Sequence, residues 1–429
     1  MPIKILSTAD LHLGKSSSGI PPNAEEKSTK YTWNRIVDYS IENNIDILLL
    51  AGDIVDRDNR YYEAIGQLQA GFKKLKDADI PVYVVAGNHD FDVLPEIIKS
   101  REFDNIELLG FNGKWELKRF SKNGKDIQFI GWSFPNQYVR EDPLLSFKID
   151  NIDPNIPVIG LLHGEAGSRE SKYAPIDINS LINKPILAWI LGHIHKPEEL
   201  NENAPFVWYP GSPHALSAKE TGIHGPLLLT VNDSEIKAVT IPLSPIRYKT
   251  VKVDITDSED EYSLRDTIIS AIFIDANGIL EELENVAYLV YDISLIGEHK
   301  NIRAIDSWSI PIIGEFDLEM ESGTKVSVRK VLSNISPTIG NLKELAKEPS
   351  PAGILAESIL AIQNGNSTDF LEELLTKLKQ KTGEINNSGT YQALRKNEKL
   401  IEMTNESASE KVIKECKRLL GELISQREE

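Results

Sequence analysis

Cysteine is all but missing. Cys416 is the only one, which excludes a disulfide framework and any cage of thiolates around a structural zinc, and fits a reducing cytoplasm. Long apolar runs are missing too: none approaches the roughly 20 residues of a membrane-spanning helix. The opening MPIKILSTAD lacks the apolar region and cleavage site of a signal peptide and reads as a first β-strand. Positive charge is scarce. Lys and Arg number 47 against 65 Asp and Glu, a net −18 spread along the chain. Such a chain is poorly suited to gripping nucleic acid alone. A nucleic-acid function would need acids neutralised on metal ions, or a partner that supplies part of the grip. What is present is a globular composition, 41% hydrophobic, in 429 residues, which is length for two or three domains.

Residues 1–240 alternate strand-like and helix-like segments. Apolar runs at Ile3–Ala9, Asp46–Ala51, Pro81–Ala86, Val158–Leu162 and Ile186–Leu191 predict buried strands. Helical spacing at Trp33–Asn43 and Tyr62–Lys76 predicts helices between them. The Ser-, Gly- and Pro-rich stretch from Gly14 to Lys30 reads as a mobile loop. From about Ile241 a strand, a helix and a strand (Tyr248–Ile255, Ser263–Ile274, Ala287–Leu295) suggest a small α+β domain over 241–335. Beyond it, 336–429 reads as helical: Gly353–Gln363, Asp369–Gln380 and Ser409–Arg427, with Lys381–Asn405 as a flexible linker.

Each predicted strand of the first part delivers polar residues at its C-terminal end, where open α/β sheets place ligands. The blocks are Asp10-x-His12, Gly52-Asp53, Gly87-Asn88-His89-Asp90, His163 and Gly192-His193-Ile194-His195, which hold most of the chain's eight histidines. Two divalent cations about 3.5–4 Å apart need an anionic bridge, and Asp53 suits that role. Asp10, His12 and His195 can complete one ion; Asn88, His163 and His193 can complete the other. Imidazole mixed with carboxylate suits Mn²⁺, Fe²⁺ or Zn²⁺ rather than Ca²⁺. Such a pair clamps a phosphodiester and activates a bridging water as hydroxide. His89 is left without a metal, placed to stabilise developing charge or to protonate a leaving oxygen. Asp90 reads equally well as a helix N-cap. His214 and His224 read as packing or surface histidines, and His299 as a surface one.

Together these blocks resemble the calcineurin-like metallophosphoesterases. Tyr209-Pro210-Gly211-Ser212-Pro213, then Leu216-Ser217 and Glu220, is similar to a segment of the bacterial SbcD/YhaO-type DNA repair exonucleases. Asp53-Ile54-Val55-Asp56 resembles the same branch, which implies that Asp56 orients His89 or a ligand. The resemblance implies a metallophosphoesterase β-sandwich flanked by helices over 1–240, an α+β capping domain over 241–335 and a partner-binding helical region over 336–429. It implies Mn²⁺-dependent cleavage of DNA, both exo- and endonucleolytic. It implies a homodimer through Tyr62–Lys76 and Val93–Arg101, and an SMC-like coiled-coil ATPase of the SbcC type as partner. Lys15, Arg57, Arg60, Arg169 and Lys196 are candidate DNA contacts. The loop after Gly14, the FDVLPE run and His214 depart from that pattern, and a small-substrate phosphodiesterase or phosphomonoesterase is the competing reading.

Overall fold

The computed structural model describes residues 2–59, 62–99, 103–148, 151–168, 170–233, 235–316, 318–366, 369–388 and 403–428. Arg60, Arg101 and Arg169, singled out above, lie outside them.

The first part is a sandwich of two sheets with helices outside. β1 (Ile3–Thr8), β2 (Ile47–Ala51), β3 (Val82–Val85) and β4 (Ile106–Leu108) run parallel. The hairpin of β13 (Leu227–Asn232) and β14 (Glu235–Thr240) adds antiparallel to β1, so the sheet order is β14-β13-β1-β2-β3-β4. The second sheet centres on parallel β6 (Lys125–Trp132), β7 (Val158–His163), β10 (Ala188–Gly192) and β12 (Phe206–Tyr209). β5 (Trp115–Lys122) and β11 (Glu198–Asn201) pair antiparallel at its two edges. Two short strands, β8 (Glu165–Ala166) and β9 (Pro175–Ile176), pair with each other just after β7.

The period-2 geometry of strands explains why β1 and β2 are apolar almost throughout. Ile3, Ile5, Ile47, Leu49 and Ala51 face the second sheet, meeting Phe129, Ile159, Leu161, Ala188 and Ile190. Their neighbours Leu6, Leu48 and Leu50 face the other way, onto α1 (Thr29–Glu42) and α2 (Tyr62–Asp77). α1 is capped by Ser28, whose side chain accepts from Lys30 N, and buries Trp33, Ile36, Val37 and Ser40 on one stripe. α2 answers with Leu68, Phe72 and Leu75. Gly71 is what lets the two helices meet, because a Cβ there would overlap the Trp33 indole. The outer face of the second sheet buries Ile130, Trp132, Leu162, Trp189 and Leu191.

The predicted mobile loop is tied down. Ser17 N donates to Lys27 O, Ser18 N to Leu216 O, and Tyr248 Oη to Ser18 O. Ile20 packs with Ala215, Ile246, Tyr248 and Val290. Its composition signals turns, and the tertiary bonds that hold those turns are invisible to composition.

Strands Ile246–Asp254, Tyr288–Ile296, Leu318–Glu319 and Lys325–Ser333 form a third sheet, the last of them lying between the second and the third. Helix Glu261–Asn277 opens with a capping box between Asp260 and Ser263. The described residues gather into two compact units: Met1–Lys249 with Ile279–Tyr291 and Asp317–Arg329, and Thr250–Gly278 with Asp292–Phe316 and Lys330–Glu429. In the second unit, helices Pro351–Gln363, Asp369–Asn386 and Asn405–Glu428 pack around Ala356, Ile359, Leu371, Val412, Cys416 and Leu420. The middle helix runs to Asn386, so the start of the expected linker, Lys381–Asn386, is helical; residues 389–402 lie outside the description. His299 is buried rather than on the surface, its Nδ1 accepting from Asn301 N and its ring edge-on to Trp308. Among the described residues, no helix is long and apolar enough to cross a membrane.

Candidate metal centre

The C-terminal ends of β1, β2, β3, β7 and β10 converge. The turns that leave them are tight, and four polar residues there adopt left-handed backbone: Asp10 at φ 52°, His12 at 47°, Asp53 at 53° and His193 at 99°. Such conformations cost about 1–3 kcal/mol each for non-glycine residues and persist where surrounding structure enforces them. The neighbouring glycines are needed for close approach. A Cβ on Gly52 would lie 2.5 Å from His163 Nδ1, one on Gly192 would overlap the Ala51 carbonyl, and one on Gly87 would overlap the Asp53 carboxylate.

Two groups of ligand-type atoms result, Asp10–His12–His195 and Asp53–His163–His193. In the first, His12 Nε2 and His195 Nε2 face each other at 3.1 Å. His195 Nδ1 is bonded to Glu220 Oε1 at 3.0 Å, and His12 Nδ1 lies 3.4 Å from Asp56 Oδ1. With His195 Nδ1 on Glu220, its Nε2 and that of His12 are directed at one spot, where both nitrogens can ligate one cation. Both Asp10 oxygens accept from His193 N at 3.0 Å.

In the second group, His163 Nδ1 donates to Ala51 O at 3.0 Å, so Nε2 points at Asp53 Oδ2 (3.3 Å) and Asn88 Oδ1 (3.2 Å). Ligand-type atoms again converge. Asp53 is fixed by His89 N, which donates to its Oδ1 at 2.7 Å. His193 differs from the others, with Nε2 4.0 Å from Glu165 Oε2 and its ring 5.0 Å from that of Tyr173.

The electrostatics agree with a centre that wants positive charge. Burial pushes the Asp53 carboxyl up, yet His163, His12 and His89 outweigh it and hold that carboxyl well below the usual range. Burial opposes a charge on His163, but Asp53 and Asp10 win and raise it to about 9. Burial leaves His193 at about 3 and lowers His12, so both are neutral and able to ligate. The donors present, imidazole with carboxylate and one amide, suit a pair of divalent transition-metal ions.

Asp56, His12 and His89 form a third group. Asp56 Oδ1 is 3.3 Å from His89 Nδ1 and 3.0 Å from Lys15 Nζ. His89 sits at the rim, its side chain 29% exposed, while Asp56 is fully buried. Lys15, offered above as a DNA contact, is thus engaged with Asp56, whereas Arg57 and Lys196 are exposed. Asp90 caps no helix with its side chain. Its carboxylate accepts from Gly87 N, Ile54 N and Val55 N and ties the β2 and β3 turns together. Burial, with Asp53 nearby, pushes it up to about 6.

His214 and His224 are buried outside the centre. Ser17 Oγ donates its only hydrogen to Ala215 O, so His214 Nε2 donates to Ser17 and Nδ1 accepts from Thr32. Burial of this neutral ring brings it down to about 4. The sequence reading missed the contacts of Glu165, Tyr173 and Glu220 with His193 and His195. Glu220 alone had a signal, as the last residue of the Tyr209–Glu220 segment; the other two arrive only through folding.

Residues 3–197 match the calcineurin-like phosphoesterase family. The chain carries a calcineurin-like metallophosphoesterase domain. Members of that family bind divalent metals, in accord with the two groups above. The chain is similar to the uncharacterized metallophosphoesterase YhaO of Bacillus subtilis, 30% identical over 271 residues that cover 61% of this chain and 65% of that one, just under two thirds of its length. It is also similar to the SbcD subunit of the SbcCD nuclease of Staphylococcus epidermidis, 27% identical over 275 residues that cover 57% of this chain and 71% of that one. Among solved structures, TT1561 of Thermus thermophilus has 13% identity and a TM-score of 0.36, over 56% of this chain and 99% of its own.

Proposed function

We propose that this metallophosphoesterase hydrolyses phosphodiester bonds of DNA, as the nuclease subunit of a complex with an SMC-like coiled-coil ATPase in the cytoplasm. The observation that carries the metal part is the convergence of ligand-type atoms: facing Nε2 atoms of His12 and His195, and His163 Nε2 aimed at Asp53 and Asn88. The nuclease part rests on the Staphylococcus epidermidis relative, which is named as a subunit of a nuclease.

Asp10, His12 and His195 would hold one ion, and Asn88, His163 and His193 the other, with Asp53 shared. When bound, the ions supply Lewis acidity and offset the charge of the phosphate; Mn²⁺ is the proposed metal. Asp56, held by Lys15, keeps His89 aimed from the rim, where its imidazole passes a proton to the leaving oxygen. The buried strand ends keep bulk water out of the floor of the site. The divisions 1–240, 241–335 and 336–429, and a homodimer through Tyr62–Lys76 and the segment after Val93, belong to the same proposal.

The test is cleavage of linear duplex and single-stranded DNA by the full chain with Mn²⁺, with and without a co-purified ATPase. Cleavage that disappears in Asp53→Ala supports the reading. Hydrolysis of bis(p-nitrophenyl) phosphate with no DNA cleavage in either setting would transfer the site to small phosphodiesters, a reading that the net charge of −18 favours.

A further inference from the structure

The Tyr209–Glu220 segment resembles a signature of DNA-cleaving relatives, yet none of its residues is a proposed ligand or proton donor. Its polar groups are spent on the protein. Ser212 N donates to His195 O at 2.8 Å. Gly211, at φ 75°, lies so close beneath that a Cβ there would be 2.5 Å from the same carbonyl oxygen and 2.7 Å from Pro197 N. Ser212 O is in turn bonded to His224 Nδ1 at 2.8 Å. At the far end of the segment the two Glu220 oxygens divide their work. Oε1 accepts from His195 Nδ1 at 3.0 Å, and Oε2 accepts from Leu216 N at 2.7 Å. Leu216 O accepts from Ser18 N, and Ala215 O from Ser17 Oγ, so the segment is anchored on the loop after β1. At its start Tyr209 Oη donates to Gly164 O and accepts from Ala166 N, beside His163.

We infer that this segment is a clamp on His195, in which Gly211 and Ser212 fix the backbone and Glu220 is a positioning residue that sets the ring's tautomer and aims Nε2 at the first ion. The inference rests on the two-metal reading of the site. The clamp acts on His195 alone among the proposed ligands of that ion, since Asp10 is held by His193 N and His12 faces Asp56. Outer carboxylates of this kind commonly change metal affinity by 10–100-fold. It follows that the segment reports on the geometry of the metal centre and says nothing of which phosphodiester is cut.

The experiment is calorimetric titration of Mn²⁺ into the metal-free full chain, for the parent, Glu220→Ala, Glu220→Gln, His195→Ala and the double variant. A Gln replaces one of the two carboxylate oxygens with an NH2 donor and so loses the acceptor at either His195 Nδ1 or Leu216 N, and both Glu220 variants should weaken one ion by about 10–100-fold and leave the other. In the His195→Ala background, Glu220→Ala should add no further loss. Two ions bound as in the parent, equal weakening of both ions, or losses that add to those of His195→Ala would each overturn the clamp. Should the Ala variant fail to fold, the Gln variant, which keeps the size of the side chain, is read by the same criteria. A parent that binds no Mn²⁺ at all would instead defeat the two-metal reading itself.

Discussion

The two rims of the sandwich use the same backbone device for different ends. Where strands begin, Asn44, Asp79, Asn123 and Asp233 take left-handed backbone, with φ between 50° and 56°. These are Asn and Asp in short turns, the residue types that tolerate that conformation best. Their surroundings are exposed ion pairs such as Lys125–Asp233. Where strands end, Asp10, His12, Asp53 and His193 take it too, two of them histidines, and all converge on one buried spot. Unusual backbone therefore does not mark function by itself. What separates the rims is that, at one of them, buried imidazole and carboxylate atoms meet within reach of a single ion.

Changing the carboxylate at the centre of the functional rim should have the largest effect. Asp53→Asn keeps the shape but removes the charge proposed to be shared, so both ions should be lost at micromolar Mn²⁺ and turnover with them, measured by metal analysis and phosphodiester hydrolysis. His89→Ala should keep both ions and lower turnover by about 10²–10⁴-fold. Loss of metal in that variant would show that His89 is a ligand.

Acidification should sharpen the comparison next. The folded state holds His214 neutral down to about pH 4, whereas an unfolded chain protonates it near 6.5. The unfolded state then binds more protons in that window, so stability should fall as pH drops from 6.5 towards 4, by on the order of 3 kcal/mol from this ring at most. Denaturant unfolding across the window should show a shallower slope for His214→Gln. An equal slope would mean that the ring is not held neutral.

The smallest effect separates close approach from mere flexibility. Gly66 in α2 has nothing within 4 Å of a built Cβ, so Gly66→Ala should raise stability by roughly 0.5–1 kcal/mol. Gly192→Ala should lower it and disturb metal binding, because the new Cβ must displace the Ala51 carbonyl. Thermal melts and Mn²⁺ titration of the pair test this, and matching shifts would remove the argument for close packing.

The sequence by itself determined β1, β2, β3, β7, β10 and the helices α1 and α2, because continuous apolar strands and 3.6-residue stripes are local patterns, and left the remaining strands of 1–240 unread. It also placed metal-competent residues at strand ends. It overextended the linker after Gln380, since polar composition does not forbid a helix that packs Leu374 and Leu378 on one side. Only the tertiary structure decided that Gly14–Lys30 is tied down, that His299 is buried, and that Asp90 braces two turns. It alone decided which nitrogen of His12, His163 and His195 faces the centre. Most of these depend on a partner tens to hundreds of residues away: Glu220 for His195, Ala51 for His163, His214 for Ser17. Local periodicity specifies which face of an element is buried; only the packed fold chooses what that face meets.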